Sequence, residues 1–133
     1  MIDKAQVEIL QETRYPWQGD IEIIVNPEKQ KKFTLNIRIP GWARNQPVPS
    51  DLYTYQQPVE KEFELKVNDE PVDIMLINGY AYISRTWQKG DFIRLSLPMP
   101  VQRILSHEKV EENKNKVALQ RGPLVYCLES KYN

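Results

Sequence analysis

The stretch GYAYISRTWQKGDFIRLSLP, Gly79 to Pro98, restricts this chain to a β fold more than any other. Ile93, Leu95 and Leu97 alternate with Arg94 and Ser96, and a period of two makes one face dry and the other wet. An α-helix would scatter those residues around its circumference. Before them stands Gln88-Lys89-Gly90-Asp91, where Gly90 can take the left-handed conformation that a tight connection needs. The spacing predicts two strands joined as a hairpin, with Trp87 in the core. Pro98 and Pro100 then end the ladder, because neither has an N–H to give.

The same alternation recurs along the chain. Val7 and Ile9 open a run that ends before Tyr15-Pro16-Trp17, and Ile21, Ile23 and Val25 form a second, closed by Asn26-Pro27. Phe33, Leu35, Ile37 and Ile39 alternate with Thr34, Asn36 and Arg38, which makes this the clearest strand. Asn45 to Pro58 breaks the pattern with three prolines and two tyrosines, and reads as a long ordered loop or an edge excursion. Phe63, Leu65 and Val67 resume it. Asn68-Asp69 suits a tight turn, since both residues tolerate positive φ, and Val72, Ile74 and Leu76 are expected to run back as one strand. Val101 to Ser106, Val117 to Gln120 and Leu124 to Leu128 complete the series around the charged, loop-like stretch His107 to Lys116. The expected fold is all-β: an antiparallel β-sandwich, jelly-roll-like, of about ten short strands in one domain over 1–133.

Bulk properties exclude several function classes. Eighteen basic residues balance 18 acidic ones, so no broad field draws the chain to nucleic acid or to an anionic membrane. No apolar run approaches the roughly 20 residues of a membrane-spanning helix. The N-terminal MIDKAQVEIL lacks the basic-then-apolar pattern of a signal peptide and enters a strand almost at once, as an excised domain would. The residues leave the compartment open, cytoplasm or periplasm.

Candidate chemistry is sparse. The one histidine, His107, lies beside Glu108 and Lys109 in a polar stretch, with neither an orienting partner nor a pocket visible in the sequence. The one cysteine, Cys127, falls in LVYCLE and reads as a small buried hydrophobe. It cannot form an internal disulfide, and no second cysteine or nearby histidine completes a zinc site. Paired carboxylates would suit glycoside hydrolysis. Here the acids lie on the wet parity of strands, as in Glu62 and Glu64, or in turns, as in Asp69 and Asp91. No catalytic or metal-binding residue is expected. The aromatic residues carry the candidate contacts. Trp17 and Trp42 stand at strand ends beside Pro16 and Gly41, and Tyr53 and Tyr55 lie in the proline-rich stretch. Such rings stack on sugars, or they pack against a neighbouring domain or subunit.

Five blocks resemble a known family in the same order: IRIPGWAR (Ile37 to Arg44), NQPVPSDLY (Asn45 to Tyr53), RTWQKGD (Arg85 to Asp91), LPMPVQR (Leu97 to Arg103) and VALQRGPLVYCLE (Val117 to Glu129). Together they are similar to the β-sandwich region that follows the catalytic barrel in bacterial β-L-arabinofuranosidases of glycoside hydrolase family 127. The asparagine–glycine turn common in that family is Asn68-Asp69 here. The resemblance implies an active site in an (α/α)6 barrel, with a cysteine nucleophile and a zinc ion held by a glutamate and cysteines, including a Cys-Cys-Pro-Pro-Asn motif. That motif has no counterpart in this sequence, and Cys127 is not in its context. The expectation is therefore a non-catalytic accessory domain, without its own cofactor, whose partner is the catalytic barrel. A carbohydrate-binding module contacting an oligosaccharide, or a homo-oligomer contact through Asn45 to Pro58, are the alternatives.

Overall fold

In the computed structural model, residues 5–126 are described. Cys127 and the end of the last expected strand lie outside them. The described residues form twelve antiparallel strands in three sheets, so the all-β sandwich architecture is confirmed with more and shorter strands than alternation alone suggested. Among the described residues no helix is long and apolar enough to cross a membrane.

The strands group into two compact units, one of Met1–Ile39 with Phe63–Leu97, the other of Pro40–Glu62 with Pro98–Asn133. In the first unit lie β1 (Val7–Thr13), β2 (Asp20–Pro27), β3 (Lys31–Arg38), β5 (Glu64–Val67), β6 (Glu70–Pro71), β7 (Met75–Ile77), β8 (Tyr80–Trp87) and β9 (Asp91–Ser96). The second holds β4 (Tyr53–Tyr55), β10 (Val101–Ser106), β11 (Val117–Arg121) and β12 (Leu124–Tyr126).

In the first unit a five-stranded sheet, β1-β2-β9-β5-β6, accompanies a three-stranded sheet, β3-β8-β7. Val25, Pro27, Ile93, Leu95, Leu65 and Val67 are the buried positions of the larger sheet, and Phe33, Ala81, Ile83 and Trp87 those of the smaller. Trp87 is fully buried. Its indole N–H donates to the Phe33 carbonyl at 3.0 Å, and the two rings lie 5.9 Å apart. That bond satisfies the one polar atom of the ring, without which burial would be costly.

The predicted hairpin is not one. β8 pairs with β3 and β7, whereas β9 pairs with β2 and β5. The Gln88–Asp91 turn exists, with Asp91 N–H donating to the Gln88 carbonyl at 3.1 Å and Gly90 at φ +88°, but it carries the chain from one sheet to the other. The physical reason is that both strands have a dry face. Two such strands can lie edge to edge in a ladder or contribute to the two sides of one core, and alternation is identical in both cases.

The single returning strand expected over Val72 to Leu76 is also divided. β6 pairs with β5, while β7 pairs with β8 in the other sheet. Pro71 in β6 removes a ladder donor and helps end that pairing after two residues. Asn68 and Asp69 both have positive φ, 51° and 65°, as a type I′ turn requires. An asparagine–glycine turn does occur, at Asn78-Gly79 between β7 and β8, with φ 51° and 80°.

The second unit contains one four-stranded sheet in the order β12-β11-β10-β4. The excursion over Asn45 to Pro58 supplies its edge strand. Tyr53, Thr54 and Tyr55 pair with Ser106, Leu105 and Ile104. This segment thus leaves the first unit in mid-sequence to complete the sheet of the second.

Candidate functional site

Tyr53 and Tyr55 lie two residues apart on β4 and share one face of the four-stranded sheet. Both are half-buried, and both hydroxyls bond within their own unit. Asn113 Nδ2 donates to the Tyr53 hydroxyl at 3.0 Å, and the Tyr55 hydroxyl reaches Gln120 Oε1 at 3.4 Å. Gln120 is the buried polar side chain of this sheet, and its amide nitrogen donates to the Gly122 carbonyl at 2.6 Å. A Tyr–Gln–backbone chain therefore ties the edge strand to the β11–β12 turn. Sequence reading passed over Gln120, although its parity with Ala118, on the face opposite Leu119, marks it.

Burial pushes the Tyr55 phenol up to about 12. The folded state then holds the proton more tightly than the unfolded chain, whose phenol titrates near 10. The resulting stability is fully present below pH 10 and is lost as the pH rises through the folded value. The urea midpoint followed by circular dichroism should therefore fall between pH 10 and about pH 12. Tyr55→Phe, which cannot titrate, should fall less over that window; parallel curves would exclude the phenol as the cause.

The other two candidate aromatics lie on other segments of the chain. Trp17, in the turn between β1 and β2 of the first unit, is 66% exposed. Trp42 is half-buried in the 3-10 turn Gly41–Arg44 of the second unit. Trp17 and the tyrosines thus belong to different units, and only Tyr53 and Tyr55 are brought onto one strand face.

The acidic residues sit as parity placed them. An open depression of about 460 Å³ on the five-stranded sheet is lined by Glu12, Asp20, Glu22, Glu64 and Asp69 with Arg94, Lys66 and Ser96. Arg94 Nε donates to Glu22 at 3.1 Å and its Nη1 to Asp69, which together hold the guanidinium in its charged form. Lys66 meets Glu64 at 2.9 Å, and the Ser96 hydroxyl donates to Asp20 at 3.0 Å. Glu22, Asp69 and Glu64 thus neutralise neighbouring cations, and Asp20 accepts from a strand serine. In the same way Asp91 accepts the Gln88 N–H at 2.8 Å and the Asn68 amide at 3.0 Å. His107 Nδ1 accepts the Lys109 N–H at 3.1 Å, a local turn contact.

Like Gln120, Arg85 is a polar side chain that the sequence did not single out. Arg85 follows Ala81 and Ile83 on the inward parity of β8, and its guanidinium carbon lies 5.3 Å from the centre of the Trp87 ring. Its Nε is buried with no hydrogen-bond acceptor. The alternation itself carried the signal, since an arginine at an inward position breaks the pattern.

The described strands and these surfaces define an all-β module of antiparallel sheets. Residues 1–99 match the family model described as the β-L-arabinofuranosidase, GH127 middle domain, and residues 101–133 match the glycoside hydrolase family 127 C-terminal domain. The chain belongs to glycoside hydrolase family 127. It is similar to the non-reducing end β-L-arabinofuranosidase of Bifidobacterium longum subsp. longum, at 30% identity over 124 residues, which cover 90% of this chain and 16% of that protein. Among solved structures, a GH127 β-arabinofuranosidase superposes with a TM-score of 0.90 at 37% identity, over 98% of this chain and 20% of that one. A GH127 β-L-arabinofuranosidase from Geobacillus stearothermophilus T6 superposes with a TM-score of 0.80 at 48% identity, over 98% of this chain and 18% of that one. The chain thus spans about a fifth or less of the enzymes it matches.

The boundary between the family models does not follow the units of the fold. Residues 40–62 fall inside the middle-domain match, yet through β4 they complete the sheet of the unit that holds the C-terminal match. The zinc that the resemblance implies finds no fitting donor set among the described residues. Among the described residues no three of His, Cys, Asp and Glu converge as ligands.

Proposed function

We propose that this chain is a non-catalytic accessory region of a family 127 glycoside hydrolase, supporting an (α/α)6 catalytic barrel that acts on β-L-arabinofuranosides. One observation carries this reading: the family's middle-domain and C-terminal-domain models together account for residues 1–99 and 101–133, while the matched enzymes are five or more times as long. The side chains agree with it. In the open depression Glu22 and Asp69 engage Arg94, Glu64 engages Lys66 and Asp20 accepts from Ser96, and the two tyrosines hold β4 in its sheet. In this reading the nucleophile and the zinc belong to the barrel, and the sheets hold that barrel's flank.

The isolated chain should release no 4-nitrophenol from an aryl β-L-arabinofuranoside, with or without zinc and a thiol reductant. Zinc-dependent turnover by these residues alone would overturn the proposal. A second measurement addresses sugar binding. Trp17 is exposed enough for its fluorescence to respond to a stacked ring, so titration with arabinose oligosaccharides should leave the emission unchanged. A saturable change that Trp17→Ala abolishes would instead make the chain a sugar-binding module.

A further inference from the structure

We infer that Asn78 is a self-modifying position: it loses its side-chain amide to attack by the backbone nitrogen of Gly79, and one of the products unseats the edge strand β7. The inference is independent of the accessory reading.

The step needs no reactant besides water. The Gly79 nitrogen bonds to Cγ of Asn78 and gives up its proton, the Cγ–Nδ2 bond breaks, and ammonia leaves. The cyclic imide so formed takes up water at one of its two carbonyls. Opening at Cγ leaves aspartate. Opening at the main-chain carbonyl leaves isoaspartate, in which the backbone runs through the former side chain. Glycine favours the attack because it has no Cβ to crowd its nitrogen.

The structure singles out Asn78 among the asparagines. It is exposed, and among the described residues neither its carboxamide nor the Gly79 N–H has a hydrogen-bond partner. Each other asparagine of the described residues is blocked. Asn26 precedes Pro27, which has no N–H. Asn45, Asn113 and Asn115 precede Gln46, Lys114 and Lys116, whose N–H groups donate to the Gly41, Glu111 and Asn113 carbonyls at 2.9, 3.1 and 3.1 Å. The Asn68 amide is held at both ends, donating to Asp91 at 3.0 Å and accepting the Phe92 N–H at 3.1 Å. Asn36 lies within β3 and precedes the branched Ile37.

The fold sets the pace and the consequence. Gly79 is buried and its carbonyl accepts the Ile39 N–H at 2.8 Å, so the turn must open before the nitrogen can reach Cγ. β7 lets it open. It is an edge strand of three residues paired with β8, and Met75, Leu76 and Ile77 are 63%, 44% and 41% exposed. Few buried contacts oppose fraying of such a strand. Aspartate refits the turn, because it accepts positive φ as asparagine does. Isoaspartate lengthens the backbone of the short turn between Ile77 and Tyr80, so these two no longer face each other as the ladder requires.

The test ages the 133-residue chain in mildly alkaline buffer. Trypsin then releases Val67 to Arg85 as one peptide that holds both Asn68 and Asn78. Fragment masses should place the exchange of amide for carboxyl at Asn78, at a rate at least about tenfold above that at Asn68. An Asn78 amide that lasts as long as that of Asn68 would overturn the inference. Gly79→Ala, aged in urea so that strain in the folded turn plays no part, should convert at least about tenfold more slowly than the wild-type chain in urea. An unchanged rate would exclude the Gly79 nitrogen as the attacking group. Anion exchange isolates the converted folded chains through their added negative charge. Amide hydrogen exchange at Ile77 and Tyr80 should be at least about tenfold faster in the isoaspartate chains than in Asn78→Asp, which stands for the other product. Equal exchange in the two would overturn the release of β7.

Discussion

Trp87→Ala should cost the first unit roughly 3–5 kcal/mol from lost burial and the cavity left behind. A further cost of about 1–3 kcal/mol is expected because the Phe33 carbonyl loses its donor. Domains of this size are stable by only about 5–15 kcal/mol, so the substitution should remove most of the margin. In a thermal melt followed by circular dichroism, the unfolding midpoint should fall by roughly 15–30 °C. Trp17→Ala is the matched control: the same side chain is deleted, but from a site 66% exposed. Its cost should stay within about 1 kcal/mol. A Trp87→Ala melt within a few degrees of wild type would mean that the two sheets of this unit do not share the core assigned to them.

The second large effect is expected at Gly19. A Cβ there would lie 1.9 Å from the Leu97 carbonyl oxygen and 2.9 Å from its carbon. Both are backbone atoms, and the Leu97 N–H donates to the Gly19 carbonyl at 2.9 Å, so neither chain can yield without breaking the contact. Gly19→Ala should therefore open the end of the β2–β9 ladder and cost about 3 kcal/mol or more. Gly90→Ala provides the contrast. Nothing lies within 4 Å of its added Cβ, but its φ of +88° is strained for any L side chain. A cost of about 1–2 kcal/mol is expected there, from conformation alone. Amide hydrogen exchange at Leu97 should accelerate in Gly19→Ala and not in Gly90→Ala. Equal exchange in both variants would show that the close approach is not rigid.

Much of this was legible before any coordinates. Alternation located eight of the strands closely, from Val7–Thr13 through Val117–Arg121, because a sheet with a core face must repeat every two residues. Asn68-Asp69 was readable as a turn because few other residues accept positive φ. The wet parity of Glu64, and the turn positions of Asp69 and Asp91, likewise anticipated carboxylates occupied by neighbours. Less was legible where two readings share one pattern. Tyr53 and Tyr55 carry the same residue types whether they stack on a sugar or bond to Gln120 and Asn113, and only the register of β4 against β10 brings those partners within reach.

By itself the sequence determined most of the strand segments, which side of each is dry, and where the chain must turn, since these depend on local stereochemistry and on the period of apolar side chains. Tertiary structure decided which strands pair. It sent β8 and β9 to different sheets, divided Glu70 to Ile77 between two ladders and carried residues 40–62 out to complete the second unit. The reason is that backbone hydrogen bonds carry no residue identity: every strand edge offers the same donors and acceptors, so partners are chosen by which dry faces meet across a core.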